Sequence, residues 1–386
     1  MENNAGQNKI LFVTRCLPYE QGGTPVGLRN LFQNFSPDQL IVLGRTVDPK
    51  KKLEKNSIRY KMVEIPTPQI KGMRLWRFLS VIPGFIQGLW LIRKYKVKKL
   101  VGVYPDEGSL LLSYMLAKAT GIEYYPYFFD LYKEFIRNNW QDKVASWLQN
   151  RTFKRAHKVI VLTDGMREYI QKTYSLKAHT VPNVINSEIS VKNFATDYVK
   201  GGRKFRIAYS GTINADRLDT MQEFAKMAVN NPDYEIYYYT SQSKDYLSLV
   251  GLMGDNTIIK FCKNQEELVN ELANADLLYL PLSFDTTEDK RPNMMTCFGT
   301  KTYEYLITGK PLLIHSPANY FNYQFLKQNE CAYLLSSKNV AEINNFFNWL
   351  FENYRDTAGD IVNNAFKTAA QFKGNVIAEK LKRLLF

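Results

Sequence analysis

The stretch "TCFGTKTYEYLITGKPLLI" (Thr296–Ile314) decides how the chain is read. Phe298 and Gly299 form a loop, a helical turn carries Lys301 and Glu304, Gly309 closes it, and Pro311 opens an all-apolar run. An apolar strand without alternation is buried on both faces, as strands of parallel sheets are. A glycine loop at a helix start presents free N–H groups and the positive end of the helix dipole, which suits a phosphate. A carboxylate one turn in, Glu304, is placed to accept hydrogen bonds from two vicinal ribose hydroxyls. The plain alternative is an ordinary helix with an exposed Glu and a C-terminal glycine cap.

The same rhythm runs outward in both directions. Strands are predicted at 9–15, 39–45, 59–66, 98–105, 122–130, 157–163 and 179–184, with helical patterns between most of them, for example 108–119 and 164–174. A polar linker, 186–204, ends in Gly201–Gly202. The alternation then restarts with strands at 205–211, 234–240, 257–263, 276–282, 311–316 and 331–337. The fold class is α/β, with two doubly wound, Rossmann-like domains expected at 1–190 and 203–372. An amphipathic helix over 375–386 is expected to return to the first. Ligands of open α/β sheets bind beyond the C-terminal strand ends, so the cleft between two such domains is the natural site.

Charge is uneven. The net charge of the 386 residues is +14; residues 1–200 hold 31 Lys+Arg against 16 Asp+Glu, and the remainder holds 20 against 21. A basic first half suits anionic substrates or an anionic membrane surface. No nucleic-acid module is recognisable in it. Four scattered cysteines, Cys16, Cys262, Cys297 and Cys331, lack metal or disulfide spacing and fit a reducing, cytoplasmic setting. The polar start "MENNAGQNK" is not a secretory signal.

"GTKTYEYLITGKPLLI" resembles the donor-binding segment of the large retaining, group 1 family of nucleotide-sugar glycosyltransferases with the GT-B architecture. That family commonly has two Glu with seven residues between them, enclosing a Phe-Gly pair. Here Glu304 stands at the second place and Thr296 at the first. "RIAYSGTINADRLDTMQEFAKM" (206–227) resembles the opening of the family's second domain, which implies Gly211 and Thr212 in a phosphate-facing turn and Arg217 as the cation on the diphosphate. "YFFDLYKEF" (127–135) matches a segment whose acidic residue lines the cleft, here Asp130.

The resemblance implies donor contacts from Gly22, Gly23, Gly211, Thr212, Lys263, Phe298, Gly299, Thr300 and Glu304, with Asp130, Arg217 and Lys301 serving the transfer. Gly22 and Gly23 would let backbone approach the sugar and its phosphate, with Thr24 capping the next helix and Pro25 at its first position. Base contacts are expected mainly from backbone near Lys263 and Thr240–Ser241. No cofactor and no metal are expected, since the three histidines are far apart in sequence and no Asp-x-Asp loop occurs. Cations would stabilise the leaving diphosphate instead. Glu107 is a lesser candidate for acceptor contact.

The segment 73–100 carries Trp76, Phe78 and Trp90 among Arg77, Arg93 and Lys94. It fits a helix lying on an anionic leaflet, or a core helix with a solvated basic end. The expected function is sugar transfer from a nucleotide-diphosphate sugar to a glycan or lipid-linked acceptor, in surface polysaccharide or glycoconjugate biosynthesis at the cytoplasmic membrane face. A nucleotide-sugar epimerase and a non-catalytic partner subunit are the alternatives.

Overall fold

A computed structural model of the chain describes residues 9–20, 23–45, 59–66, 79–135, 139–185, 198, 202–285 and 291–386. Two compact units emerge. The first is Met1–Val184 with Gly374–Phe386, and the second is Ile185–Lys373. The first unit thus ends at Val184 rather than at residue 190. Ile185 already belongs to the second: its N–H donates to the Phe372 carbonyl at 3.0 Å.

The first unit holds a seven-stranded parallel sheet in the order β3-β2-β1-β4-β5-β6-β7. Its strands are β1 (Ile10–Cys16), β2 (Leu40–Arg45), β3 (Lys61–Glu64), β4 (Lys99–Tyr104), β5 (Glu123–Phe128), β6 (Val159–Val161) and β7 (Ala178–Thr180). Its helices are α1 (Gly23–Phe32), α2 (Val81–Tyr95), α3 (Glu107–Thr120), α4 (Asn139–Arg155) and α5 (Asp164–Tyr174). β1, β2 and β4 are buried along nearly their whole length, which the all-apolar runs dictated.

Local signals set the helix ends. Asp106 caps α3 by accepting from the Ser109 N–H at 2.9 Å, and Gly121 ends it at φ +73°. Thr163 caps α5 in the same way. α1 departs from expectation. It begins at Gly23, so Thr24 and Pro25 sit inside its first turn instead of at its cap and first position. Proline is tolerated there because first-turn N–H groups have no helical partner.

α2 and α3 cover one face of the first sheet, and α4 packs against α3. A Cβ on Gly84 or Gly88 of α2 would approach Leu112 and Leu116 of α3 within 2.8 and 2.6 Å, so the two glycines set how closely these helices pack. On the sheet itself, the Tyr124 hydroxyl meets Ser113 of α3 at 2.9 Å.

The second unit repeats the plan with six parallel strands in the order β10-β9-β8-β11-β12-β13. They are β8 (Phe205–Ser210), β9 (Tyr234–Tyr239), β10 (Thr257–Lys260), β11 (Leu277–Pro281), β12 (Leu312–His315) and β13 (Tyr333–Leu335). Its helices are α6 (Leu218–Ala228), α7 (Lys244–Leu249), α8 (Gln265–Leu272), α9 (Arg291–Thr296), α10 (Thr300–Tyr305), α11 (Phe321–Gln328) and α12 (Val340–Ala369). The last helix, α13 (Gly374–Leu385), packs Ile377, Ala378, Leu381 and Leu385 into the core of the first unit beside Leu28 and Leu31. In each sheet the strand order reverses next to the first strand, between β1 and β4 and between β8 and β11. Those are the points where open α/β sheets leave a crevice for ligand.

Candidate functional site

The second unit brings Gly211, Thr212, Arg217, Lys301 and Glu304 together at its switch point. β8 ends at Ser210, and Gly211 follows at φ +101°, a conformation that side chains resist. Its N–H donates to the Tyr239 carbonyl at 2.7 Å. A Cβ at this position would lie 2.3 Å from Lys301 Cε and 2.6 Å from Lys301 Nζ. Glycine is therefore what lets the Lys301 side chain cross the end of the strand.

Tyr209 is the hub. Its hydroxyl accepts from Lys301 Nζ at 2.7 Å and from Arg217 Nη1 at 3.0 Å, and it donates to the Thr212 carbonyl at 2.8 Å. The Lys301 ammonium also sits 4.5 Å from the Tyr209 ring centroid. Arg217 occupies the N-cap position of α6 and is steadied by Asn214 Oδ1, which its Nε reaches at 3.0 Å. Among the described residues neither cation forms a salt bridge. Two cations converging on one neutral hydroxyl make a local excess of positive charge that suits an anion. Burial, and then Arg217, push the Lys301 ammonium well below the usual lysine range, with Glu304 opposing.

Glu304 lies one turn along α10 from Lys301. Burial lifts its carboxyl to about 6, against the pull of Lys301 and a hydrogen bond from Gln265 Nε2 at 3.1 Å. α10 is fastened to the end of β8, where the Ser210 N–H donates to the Tyr305 hydroxyl at 2.8 Å. Asn322 holds it from the other side through Thr302 Oγ1 at 3.0 Å. Loop, cations and carboxylate are thus positioned by two helices, α6 and α10, and one strand end.

Other predicted residues fall differently. The Phe298 ring is buried against Tyr303, Phe321, Phe325 and Phe372, so it is a core group and offers no face to a ligand. Gly299 is the N-cap residue of α10 with open space where a Cβ would be, and Thr300 is exposed as the first helical residue. α10 ends at Tyr305, and Gly309 closes the turn beyond it at φ +71°. Lys263 is exposed, and its N–H is engaged by Glu267 Oε2 at 2.7 Å while Asn264 caps α8. The backbone donor at that position is therefore already used. Thr296 turns its hydroxyl to the Pro292 carbonyl at 2.7 Å.

In the first unit, Gly23 is the first residue of α1. Arg29, six residues on, reaches back to the Pro18 carbonyl at 2.9 Å. Asp130 follows β5 and Glu107 opens α3; burial, then these two carboxylates, hold the Tyr104 hydroxyl far above its ordinary range. Beside them Arg45 and Asp106 form a buried ion pair at 2.7 Å. The Cys16 thiol at the end of β1 is pushed up to about 11, first by burial and then by Glu20. Trp90, Arg93 and Lys94 are exposed on α2. Gly22, Trp76, Arg77 and Phe78 lie outside the described residues. Among the described residues no three His, Cys, Asp or Glu side chains come together as a metal site. His315 is buried between Tyr279 and the Ser337 carbonyl and is held down to about 4 by burial.

Tyr209, Tyr305 and Gln265 were not singled out from the sequence. The two tyrosines read as core residues of a strand and a helix, and only the fold shows their hydroxyls at the site.

No family model matches the chain, and no curated protein matches it. Solved structures do. The chain is similar to sucrose-phosphate synthase from Thermosynechococcus elongatus, at TM-score 0.74 and 13% identity over 98% of each chain. It is similar to a glycosyltransferase from Rickettsia africae, at TM-score 0.70 and 14% identity over 98% of this chain and 97% of that one. It is also similar to Anabaena HepE, solved in complex with UDP, at TM-score 0.70 and 13% identity over 98% of this chain and 99% of that one. At these identities the likeness speaks to architecture: the chain has the GT-B fold, as the resemblance implied.

Proposed function

We propose that the chain is a retaining, metal-independent glycosyltransferase that takes a sugar from a nucleotide-diphosphate donor. The observation that carries this reading is the convergence of Lys301 and Arg217 on Tyr209 at the second sheet's switch point, with Glu304 one turn away. The two cations take the diphosphate and Glu304 takes the ribose hydroxyls. The UDP in HepE and the glycosyltransferase from Rickettsia africae support this ligand class.

In the reaction, the bond between the anomeric carbon and the diphosphate oxygen breaks as the acceptor hydroxyl oxygen bonds to that carbon. The acceptor proton passes to the leaving phosphate oxygen. Products are the glycoside and the nucleoside diphosphate. Lys301 and Arg217 are fixed before the reaction, so they neutralise the charge growing on the diphosphate without reorganising. No side-chain nucleophile is needed, and retention follows from attack on the face the leaving group vacates.

The acceptor is a glycan or lipid-linked precursor of surface polysaccharide or glycoconjugate, with Asp130 as its contact in the first unit. The chain works on the cytoplasmic membrane face. No helix of the described residues is long and apolar enough to cross a membrane. α2 presents an exposed stripe of Ile82, Ile86 and Trp90 that leads into Arg93 and Lys94, and this is its contact with an anionic leaflet.

The test is product analysis by NMR after incubation with a sugar nucleotide and a lipid-linked acceptor. Transfer with retained anomeric configuration, undiminished by a metal chelator, is expected. Inversion, chelator-sensitive turnover, or donor turnover that needs no acceptor would each contradict the reading.

A further inference from the structure

We infer that α4 is a second membrane-docking element, and that α2 and α4 together present one face of the first unit to an anionic lipid surface. This extends the membrane contact proposed for α2 and rests on it. The observation is a concentration of exposed apolar side chains. Of the twelve large hydrophobics exposed in the described residues, seven lie on or just before these two helices. Singly exposed apolar residues are ordinary, whereas a clustered set marks an interaction surface.

The geometry of α4 is specific. Trp140 is 71% exposed, Val144 37% and Trp147 50%, at positions i, i+4 and i+7 of one helix face. The same face continues into Arg151 and Lys154, with Lys143 beside Val144, all exposed. α2 has the same plan, with Ile82, Ile86 and Trp90 in an i, i+4, i+8 row ahead of Arg93 and Lys94. Both helices therefore carry an apolar, tryptophan-bearing row that ends in cations. The Lys94 ammonium lies 4.4 Å from the Trp90 ring centroid.

The two rows share a side of the molecule. α2 packs on α3 through Gly84 and Gly88, and α4 packs on α3 where Trp147 meets Tyr114 edge-on at 6.4 Å. α2 and α3 share the apolar cluster on the sheet face that carries Tyr124, and α4 is tied to the end of α3 by Arg155, whose Nη2 donates to the Ala117 carbonyl at 2.8 Å. α3 presents the half-buried Leu111 and Met115 and the exposed Lys118.

Charge decides the occupant. α2 contains no Asp or Glu, and α4 contains one, Asp142, against Lys143, Arg151, Lys154 and Arg155. Tryptophans placed among cations match the headgroup level of an anionic bilayer, where rings enter the interface and ammonium and guanidinium groups meet phosphate. An acidic protein partner would need the same face and is an outcome of the test.

The experiment is co-sedimentation of the full chain with phosphatidylcholine vesicles, with and without phosphatidylglycerol. Wild type is expected to bind the anionic vesicles and to lose binding as salt rises. Lys143→Glu with Arg151→Glu should lower the partition coefficient by about fivefold or more for each residue changed. Trp140→Ser should lower it several-fold without disturbing the core, since that ring is mostly in solvent. Trp147→Ser, which removes the Tyr114 contact, is the second variant, checked for fold by circular dichroism. If these α4 variants bind like wild type while Ile82→Ser with Ile86→Ser abolishes binding, the role of α4 is overturned and that of α2 stands. If wild type ignores both vesicle types, the whole membrane reading falls. Donor calorimetry on the same sample reports separately on the transferase reading.

Discussion

Replacing Glu304 by Gln separates what the carboxylate does for a ligand from what it costs the fold. Burial lifts this carboxyl from its ordinary 4.5 to about 6. Its folded value lies above its unfolded one. The stability it contributes is therefore complete below pH 4.5 and is lost as pH rises through about 6. A shift of roughly 1.5 units corresponds to about 2 kcal/mol of cost near neutral pH. Gln is nearly isosteric and neutral at every pH, so it should return up to about 2 kcal/mol to the free protein. That appears as a rise of a few degrees in Tm at neutral pH, shrinking as the medium is acidified. Ligand binding moves the opposite way. Hydrogen bonds to a charged acceptor are stronger than those to an amide by about 1–1.5 kcal/mol each. For two ribose hydroxyls, Glu304→Gln should weaken donor binding by roughly 30- to 150-fold. Wild-type affinity should fall below pH 6, while the Gln variant stays flat. The ligand must be a sugar nucleotide, because the terminal phosphate monoester of a free nucleoside diphosphate itself titrates near ~6. Calorimetry and thermal unfolding across pH read both effects. A Gln variant that loses apo stability, or that binds donor as well as wild type at neutral pH, would refute the reasoning.

Further expectations follow from single contacts. Gly211→Ala should weaken donor binding by an order of magnitude or more, because the new methyl strains φ +101° and displaces Lys301; an unchanged Kd by calorimetry would count against the site. Asp106→Ala leaves Arg45 buried and unpaired, and should cost about 3–5 kcal/mol in denaturant unfolding of the first unit with donor affinity unchanged. Phe298→Ala should cost about 3–5 kcal/mol of second-unit stability, as a core truncation does; a change in donor affinity alone would return the ring to the site. Gly23→Val should lower kcat more than it weakens donor binding; a loss of donor affinity as large as that of Glu304→Gln would contradict a role beside the transferred sugar.

The sheets were legible because parallel strands are read from apolar runs alone, as in Ile10–Val13 and Leu312–Ile314. Helix starts were less secure. Thr24–Pro25 carries two start signals, yet the helix begins at Gly23, since residues of a first turn satisfy the same preferences as a cap. At the candidate site, Glu304 and Lys301 were singled out from their place in a short helix after a glycine loop, and Arg217 from the family resemblance; the structure brings the three side chains to one strand end. Tyr209 was not singled out, because one residue serves as core by its ring and as site by its hydroxyl. Phe298 was misread for the converse reason. The rings that bury it come from 303, 321, 325 and 372, contacts that no local pattern encodes. Asn264 followed three residues later by Glu267 is the signature of a reciprocal helix cap, but that pattern engages the N–H of the cap residue itself, whereas here Glu267 reaches the preceding Lys263 N–H.

The central claim is that the second unit holds a nucleotide diphosphate on Lys301 and Arg217 beside Glu304. Calorimetric titration of the full chain with UDP-, GDP- and ADP-sugars, repeated on Lys301→Ala, tests it most directly. The account predicts saturable one-to-one binding of at least one of the three, lost in the variant while the fold is retained. Binding that survives Lys301→Ala unchanged, or no binding of any of the three at millimolar concentration, would contradict it.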